Sequence, residues 1–225
     1  MWWTDDEQAT KNSLCRAVSG GPVYVSDKFG RTRAEVLKPV MFRDGRIPRC
    51  DISATPTADC LLHDPTDTKA PFKIRNLVGE NGIIAVYNIS KDNCAVSGTV
   101  CPEDAGLQPG KYVYYEYFSG KCGVLEENEK LAISLADNDT LQLYTFRPAK
   151  QVNAMGRADL FVGIKAVTTQ DGNTYRFYEG GELIFISQQP LRITNAGKEI
   201  PCVREGLLTK VSCAPEITEL TVQAL

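Results

Sequence analysis

The sequence predicts a mainly β protein: an antiparallel β-sandwich preceded by a short α/β segment. Three observations support this prediction. The first 40 residues have the order helix, apolar strand, helix; short apolar runs separated by Gly, Asn and Asp follow from about residue 70; and no strong helical periodicity is found after about residue 40. Many short strands at even spacing with Gly/Asn turns are typical of a β-sandwich.

The first predicted element is a helix that begins at Thr4. Thr4-Asp5-Asp6-Glu7 fits a capping box, with Thr4 as the N-cap and Glu7 three residues later. The apolar residues Leu14, Ala17 and Val18 share one side of this helix, and Ser19-Gly20-Gly21 provides its end.

A strand over Pro22–Ser26 is the second predicted element, and a second helix over residues 31–40 is the third. This order is the repeating unit of an α/β barrel or a doubly wound sheet. A parallel strand is normally buried on both faces and paired on both sides, yet no other run in the chain has that character. We therefore expect the segment to be the last unit of a barrel whose other units are absent from this chain.

Residues 43–71 are rich in Pro, Asp and Thr and predict a connection, with possible short strands at 47–53 and 59–63. The runs that follow predict antiparallel strands. The first two are joined around Gly79-Glu80-Asn81-Gly82, in which Asn-Gly is a strong hairpin signal. The predicted domains are residues 1–60, a remnant of a (β/α)8 barrel with its linker, and residues 61–225, a C-terminal antiparallel β-sandwich.

Composition excludes several classes of partner. The 225 residues carry a formal net charge of −3 and contain no Lys/Arg-rich run, which disfavours nucleic acid. The longest apolar runs are far shorter than a membrane helix requires, and the N-terminus does not resemble a signal peptide. We expect no nucleic-acid partner, no membrane partner and a cytoplasmic location.

The cysteines and the single histidine predict no metal site and no cofactor. None of the eight cysteines forms a C-x-x-C pair, and His63 follows Cys60 at a spacing that no second pair matches. Small buried thiols in a reducing compartment are the simpler interpretation. One histidine also disfavours a Ser-His-Asp triad.

Specific stretches of the chain carry a family resemblance. They are Ser19–Asp27 ("SGGPVYVSD"), "AEVLKPV", "MFRDGRIPRC", and Pro56–Leu62 followed by "FKIRN". They resemble the end of the catalytic barrel and the start of the C-terminal β-sandwich in the raffinose synthase, stachyose synthase and seed imbibition group of glycoside hydrolase family 36. The resemblance is specific over residues 1–76 and collinear but loose afterwards.

The resemblance implies an α-galactosidase or galactosyltransferase that acts on α-galactoside oligosaccharides through two aspartates, without metal or cofactor. It also implies that both catalytic aspartates lie upstream of this chain, so we predict no catalytic residue here. Four residues are candidates for substrate binding. Trp2 and Trp3 would lie near the barrel mouth, and Ser26 and Asp27 end the predicted strand. The alternatives are that the tryptophans fill the interface between barrel and sandwich and that Ser26 and Asp27 cap the next helix.

The sequence therefore favours a C-terminal fragment that is inactive alone and supports the barrel. One alternative is a carbohydrate-binding β-sandwich that presents Tyr112, Tyr114, Tyr115 and Tyr117, although core packing of these residues is the simpler interpretation. Another is a subunit completed by a separately encoded barrel, with a partner chain or an oligomer covering the N-terminal sheet edge.

Overall fold

The computed structural model describes residues 2–67 and 69–225. Two helices lie near the N-terminus: α1 (Ala9–Val18) and α2 (Ala34–Leu37), the latter continued by a 3-10 turn over Lys38–Val40. The strands, in chain order, are β1 (Thr55–Pro56), β2 (Phe72–Val78), β3 (Asn81–Tyr87), β4 (Val96–Val100), β5 (Tyr112–Glu116), β6 (Cys122–Leu125), β7 (Leu131–Leu135), β8 (Leu141–Pro148), β9 (Asn153–Arg157), β10 (Val167–Asp171), β11 (Thr174–Phe177), β12 (Glu182–Ile186), β13 (Leu191–Asn195), β14 (Lys198–Glu199), β15 (Cys202–Glu205), β16 (Leu208–Ser212) and β17 (Glu219–Ala224).

These strands form four sheets. Their orders are β1-β2-β3-β8-β5-β6, β10-β11-β17-β13-β14, β15-β16-β12-β9 and β4-β7. Every strand pair in the described part of the chain is antiparallel. The predicted fold class, mainly β with an antiparallel β-sandwich, is confirmed, and two short helices lie in the N-terminal segment that was predicted to be α/β.

Strand β3 lies between two hydrophobic cores and contributes side chains to both. The odd-numbered residues of β3, Ile83 and Ala85, pack with Leu14 and Val18 of α1. The even-numbered residues Ile84 and Val86 face the opposite way, toward β4 and β7. Side chains alternate between the two faces of a strand, so a strand covered on both faces needs the continuous apolar run that β3 has.

Strand β12 separates the remaining layers by the same alternation. Leu183 and Phe185 pack between the second and third sheets. Ile184 and Ile186 pack against Val113 of β5 in the first sheet. The third sheet is therefore covered on both faces, which explains why "ELIFIS" reads as one apolar run.

The first helix begins later than predicted. The helix α1 starts at Ala9, and Gln8 occupies the N-cap position. The capping box at Thr4 is wrong because the Thr4 hydroxyl has tertiary partners: it donates to Asp27 and accepts the backbone N–H of Arg33. The predicted end at Val18 is confirmed, with the Ser19 N–H donating to the carbonyls of Cys15 and Arg16.

The predicted strand over Pro22–Ser26 is also wrong, since residues 22–28 have neither helix nor strand structure. A strand requires a hydrogen-bonded neighbour. Within the described residues the Ser26 N–H donates to the Trp2 carbonyl at 3.0 Å, and no ladder extends from this bond. The second helix forms over part of its predicted range, as α2 and the turn after it.

Three local predictions need correction. Residues 47–53 form no strand, and a 3-10 turn over Ala58–Cys60 replaces the strand expected at 59–63. The β2–β3 hairpin is present, and its turn is Gly79-Glu80, the first half of the predicted stretch Gly79–Gly82; Val78 pairs with Asn81, so Asn81 and Gly82 belong to β3 instead of the turn. Gly79 has a φ of +56°, which the turn requires and glycine tolerates.

Candidate functional site

Asp27 is the centre of a hydrogen-bonded network in the N-terminal segment. Its Oδ1 accepts the backbone N–H of Thr4 at 2.7 Å, and its Oδ2 accepts the Thr4 hydroxyl at 2.7 Å. The Thr4 hydroxyl in turn accepts the backbone N–H of Arg33 at 2.7 Å. These bonds connect residues that lie 23 and 29 positions apart in the sequence, so one carboxylate and one threonine fix the path of the segment.

The network keeps Asp27 ionised. Burial acts to raise its pKa, but hydrogen bonds from the Thr4 backbone, the Thr4 hydroxyl and the Thr32 hydroxyl outweigh burial and lower the pKa. A carboxyl with a lowered pKa is a poor general acid, and both of its oxygens already accept hydrogen bonds. The arrangement suits a structural carboxylate or a hydrogen-bond acceptor for a ligand, not a proton donor.

The structure brings the four predicted substrate-binding residues, Trp2, Trp3, Ser26 and Asp27, into one region. The Ser26 N–H donates to the Trp2 carbonyl, one residue from the Asp27–Thr4 contact. Trp2 is 5% exposed and packs against Ala9 and Val36. Trp3 is 56% exposed, so it is the tryptophan whose indole face is free to contact another molecule.

Two further aromatic residues in this region were not identified from the sequence. Tyr24 is 58% exposed and Phe29 is fully exposed, whereas Val23 and Val25 are half-buried. Val23 packs with the first core and Val25 packs with the Trp2 cluster. The alternation of Val23, Tyr24 and Val25 is the sequence signal that could have identified Tyr24 as exposed, because it places the tyrosine on the side opposite to the two valines. Trp3, Tyr24 and Phe29, here called the aromatic surface, are the exposed aromatic side chains of this segment.

The four tyrosines in β5 and directly after it are largely occupied by packing. Tyr112 belongs to the core between the first and fourth sheets, and Tyr115 belongs to the core between the first and third sheets. Tyr114 lies 6.4 Å from the Tyr144 ring, and Tyr117 lies 4.9 Å from the Phe161 ring, measured between centroids. This arrangement agrees with the packing interpretation of the tyrosine cluster and offers no continuous aromatic platform.

The thiols and the histidine are placed as follows. All eight cysteines are free, and the Cys60 sulfur accepts the backbone N–H of Lys73 at 3.4 Å, while His63 is exposed. Among residues 2–67 and 69–225, no three His, Cys, Asp or Glu side chains form a group suited to a metal ion.

No helix in the described part of the chain has the length and apolar character needed to cross a membrane.

Comparisons with known proteins agree with the resemblance. Residues 1–105 match the family "Raffinose synthase or seed imbibition protein Sip1". Over 186 residues the chain is 31% identical to the Arabidopsis thaliana protein named "Probable galactinol–sucrose galactosyltransferase 5". This match covers 74% of this chain and 22% of the relative. It is 32% identical over 165 residues to the galactinol–sucrose galactosyltransferase of Pisum sativum, a match that covers 62% of this chain and 21% of the relative. It is 37% identical over 89 residues to the stachyose synthase of the same species, a match that covers 39% of this chain and 10% of the relative. The chain thus spans about a fifth of the length of the first two relatives.

Proposed function

Because residues 1–105 resemble the raffinose synthase family, we propose that this chain is the C-terminal supporting part of a glycoside hydrolase family 36-like galactosyltransferase or α-galactosidase. The whole protein would act on α-galactoside oligosaccharides of the galactinol and sucrose type that the relatives' names state. This part would close and support the catalytic barrel. Residues 1–60 would be the barrel remnant, and residues 61–225 would be the sandwich. The protein would be located in the cytoplasm, and this chain alone would not be catalytic.

The observation that carries the proposal is the unpaired segment Pro22–Ser26. It holds one backbone hydrogen bond to Trp2 and ends in the Asp27–Thr4 contact, yet it forms no sheet. Side chains on one of its sides pack into the molecule, while Tyr24 and nearby Trp3 and Phe29 are exposed. A chain segment that is fixed in place, apolar and without a strand partner suits a barrel strand whose neighbours belong to a preceding part of the protein.

The chemistry of the segment supports an inactive fragment. Retaining glycoside hydrolysis needs two carboxyl groups about 5–5.5 Å apart, one of them able to donate a proton. Asp27 has a lowered pKa and both oxygens engaged, so it lacks the proton that the acid must supply. In the complete protein Asp27 would fix the end of the last barrel strand. Trp3 and Ser26, which keep free side-chain surface, would face the sugar.

An activity assay tests the proposal. The purified chain is incubated with an aryl α-galactoside, and separately with galactinol and sucrose, and we expect no turnover above that of buffer. Turnover by the chain would overturn the proposal, and loss of that turnover in Asp27→Asn would assign the activity to Asp27. Asp171→Asn, a change at an exposed carboxylate distant in sequence from the segment, is the matched control.

A further inference from the structure

A second polar site lies away from the N-terminal segment, in an open cleft of about 840 Å³ beside the ends of β3, β8 and β10. Three basic side chains line the cleft, Arg147, Lys150 and Lys165, together with the acidic side chains Asp51 and Glu80. Lys150 pairs with Glu80 at 3.2 Å and Lys165 pairs with Asp51 at 2.5 Å. Neither of these two ion pairs includes Arg147.

Arg147 is an unusual residue for its position. It is 6% exposed, and no ion pair joins it to any carboxylate of the described residues. Its Nη1 donates to the Ala154 carbonyl at 2.8 Å and its Nη2 donates to the Gln170 side chain at 3.1 Å, while Nε has no partner. Burial lowers the pKa of Arg147, but a guanidinium stays charged in proteins. The Glu80 carboxylate attracts the guanidinium without forming an ion pair with it, and Glu80 is itself paired with Lys150. A buried charge with no ion pair of its own is costly, so the cleft favours an anion.

Asn81 adds an acceptor to the same cleft. Gly82 pairs with Phe146 at the end of the antiparallel β3–β8 ladder. The next residues across this ladder are Asn81 and Arg147, so these two residues lie side by side. Asn81 is 8% exposed; its Nδ2 donates to the Val78 carbonyl at 2.7 Å, and its Oδ1 has no partner. A donor on Arg147 and an acceptor on Asn81 are therefore both unsatisfied within the residues that the structure describes.

We propose that this cleft binds a small oxyanion that also carries a hydroxyl group, the simplest being hydrogen phosphate. Arg147 binds the oxyanion through its unused N–H groups, and the oxyanion's O–H donates to Asn81 Oδ1 after a small side-chain movement. Glu80 opposes the anion by charge, and Lys150 and Lys165 attract it. The site does not depend on the function proposed above.

Thermal unfolding of the intact chain tests this site. At constant ionic strength, with chloride replaced by 10 mM inorganic phosphate, we expect a rise in Tm, because a ligand that binds the folded state stabilises it. Sulfate, which has no O–H at neutral pH, should give a smaller rise, and neutral glucose should give none. Equal effects of phosphate and chloride, equal effects of phosphate and sulfate, or a rise with glucose would each overturn the proposal.

Variants connect the effect to the cleft. Glu80→Gln removes one opposing charge and leaves Arg147 in place, so the phosphate affinity measured by calorimetry should rise at least about threefold. Arg147→Gln should abolish binding. Arg204→Gln is the control, because Arg204 is exposed and donates to the carbonyls of Gly206 and Gln188, and it should leave the affinity unchanged. Unchanged affinity in Glu80→Gln would contradict the assignment even if Arg147→Gln fails to fold.

Discussion

The side-chain amide of Asn76 in β2 donates to the carbonyl of Val18, at the C-terminal end of α1, at 2.7 Å. The same nitrogen donates to the Ile52 carbonyl at 2.8 Å, and the Asn76 oxygen accepts the backbone N–H groups of Ile52 and Leu77. Asn76 is fully buried. One side chain thus joins the helix, the connecting segment and the first long strand of the sandwich.

Replacing Asn76 should therefore destabilise the whole chain. Asn76→Ala removes four hydrogen bonds and leaves the buried carbonyl of Val18 and the partly buried carbonyl of Ile52 without this donor. We expect a loss of about 3 kcal/mol in the free energy of unfolding, measured by urea denaturation. Asn173→Ala, at an exposed asparagine, should change it by less than about 0.5 kcal/mol. Equal effects of the two substitutions would show that the Asn76 contacts are not important.

Gly20 should be intolerant of any side chain. Its φ is +74°, and an added Cβ would lie 2.1 Å from the Ile52 carbonyl oxygen, the same oxygen that accepts from Asn76. Gly20→Ala combines left-handed strain with a backbone clash and should cost more than about 3 kcal/mol.

Gly30 provides a matched control for this prediction. It has a φ of +76° with nothing within 4 Å of an added Cβ. Gly30→Ala should show the conformational strain alone, about 1–2 kcal/mol. If urea unfolding gives the same cost for both glycines, the close approach of Ile52 is not a constraint in solution.

These contacts show which parts of the molecule the sequence could predict. The apolar run of β3 and the alternation in β12 specify strands locally, because each reflects which faces are buried. Thr4 followed the local rule for a helix cap, but its partner Asp27 lies 23 residues away, and no local pattern contains that contact. The same applies to the contacts among Gly20, Ile52 and Asn76. None of these residues stands in a distinctive local sequence pattern, and they come into contact only when β2 packs against α1.

The stability of the sandwich edge should depend on pH through Lys73. This lysine is 2% exposed and pairs with Asp59 at 2.8 Å and Asp104 at 2.7 Å. Burial raises the pKa of Asp59, but hydrogen bonds from Lys73 and Thr57 outweigh it and lower the pKa overall. A carboxyl with a lowered folded pKa contributes stability above its unfolded pKa of about 3.9 and loses it as the pH falls through the folded pKa.

Asp59→Asn measures this contribution. The difference in unfolding free energy between wild type and variant should be constant from pH 7 to pH 5 and should shrink below about pH 4. For Lys73, burial acts to lower the pKa, but hydrogen bonds to Asp104 and Asp59 raise it overall, so its contribution should persist up to the unfolded pKa of about 10.4 and decline above it. A difference that grows as the pH falls from 5 to 3 would contradict this account.

Two cysteines should resist alkylation in the folded protein. Burial raises the pKa of the Cys50 thiol to about 12 and that of Cys101 to about 11. At pH 8 the thiolate, which is the reactive form, would then be about one part in ten thousand for Cys50. Iodoacetamide labelling followed by mass spectrometry should leave both residues unmodified, whereas all eight cysteines should react in urea. Early labelling of Cys50 in the native protein would contradict this.

The aromatic surface should promote association without contributing to stability. Tyr24 and Phe29 are exposed, so Tyr24→Ser with Phe29→Ser removes little buried area and should change the free energy of unfolding by less than about 1 kcal/mol. The same double variant should bind less of a dye specific for apolar surface and should elute with less concentration dependence in size-exclusion chromatography.

A control separates this surface from exposed apolar residues in general. Leu225 is 69% exposed at the other end of the sequence, and Leu225→Ser should leave dye binding and elution unchanged. If instead the double variant unfolds at much lower urea, Tyr24 and Phe29 pack within the chain, and the segment needs no outside partner. If both variants behave like wild type, the aromatic surface does not attract other protein, and the argument for a barrel covering it fails.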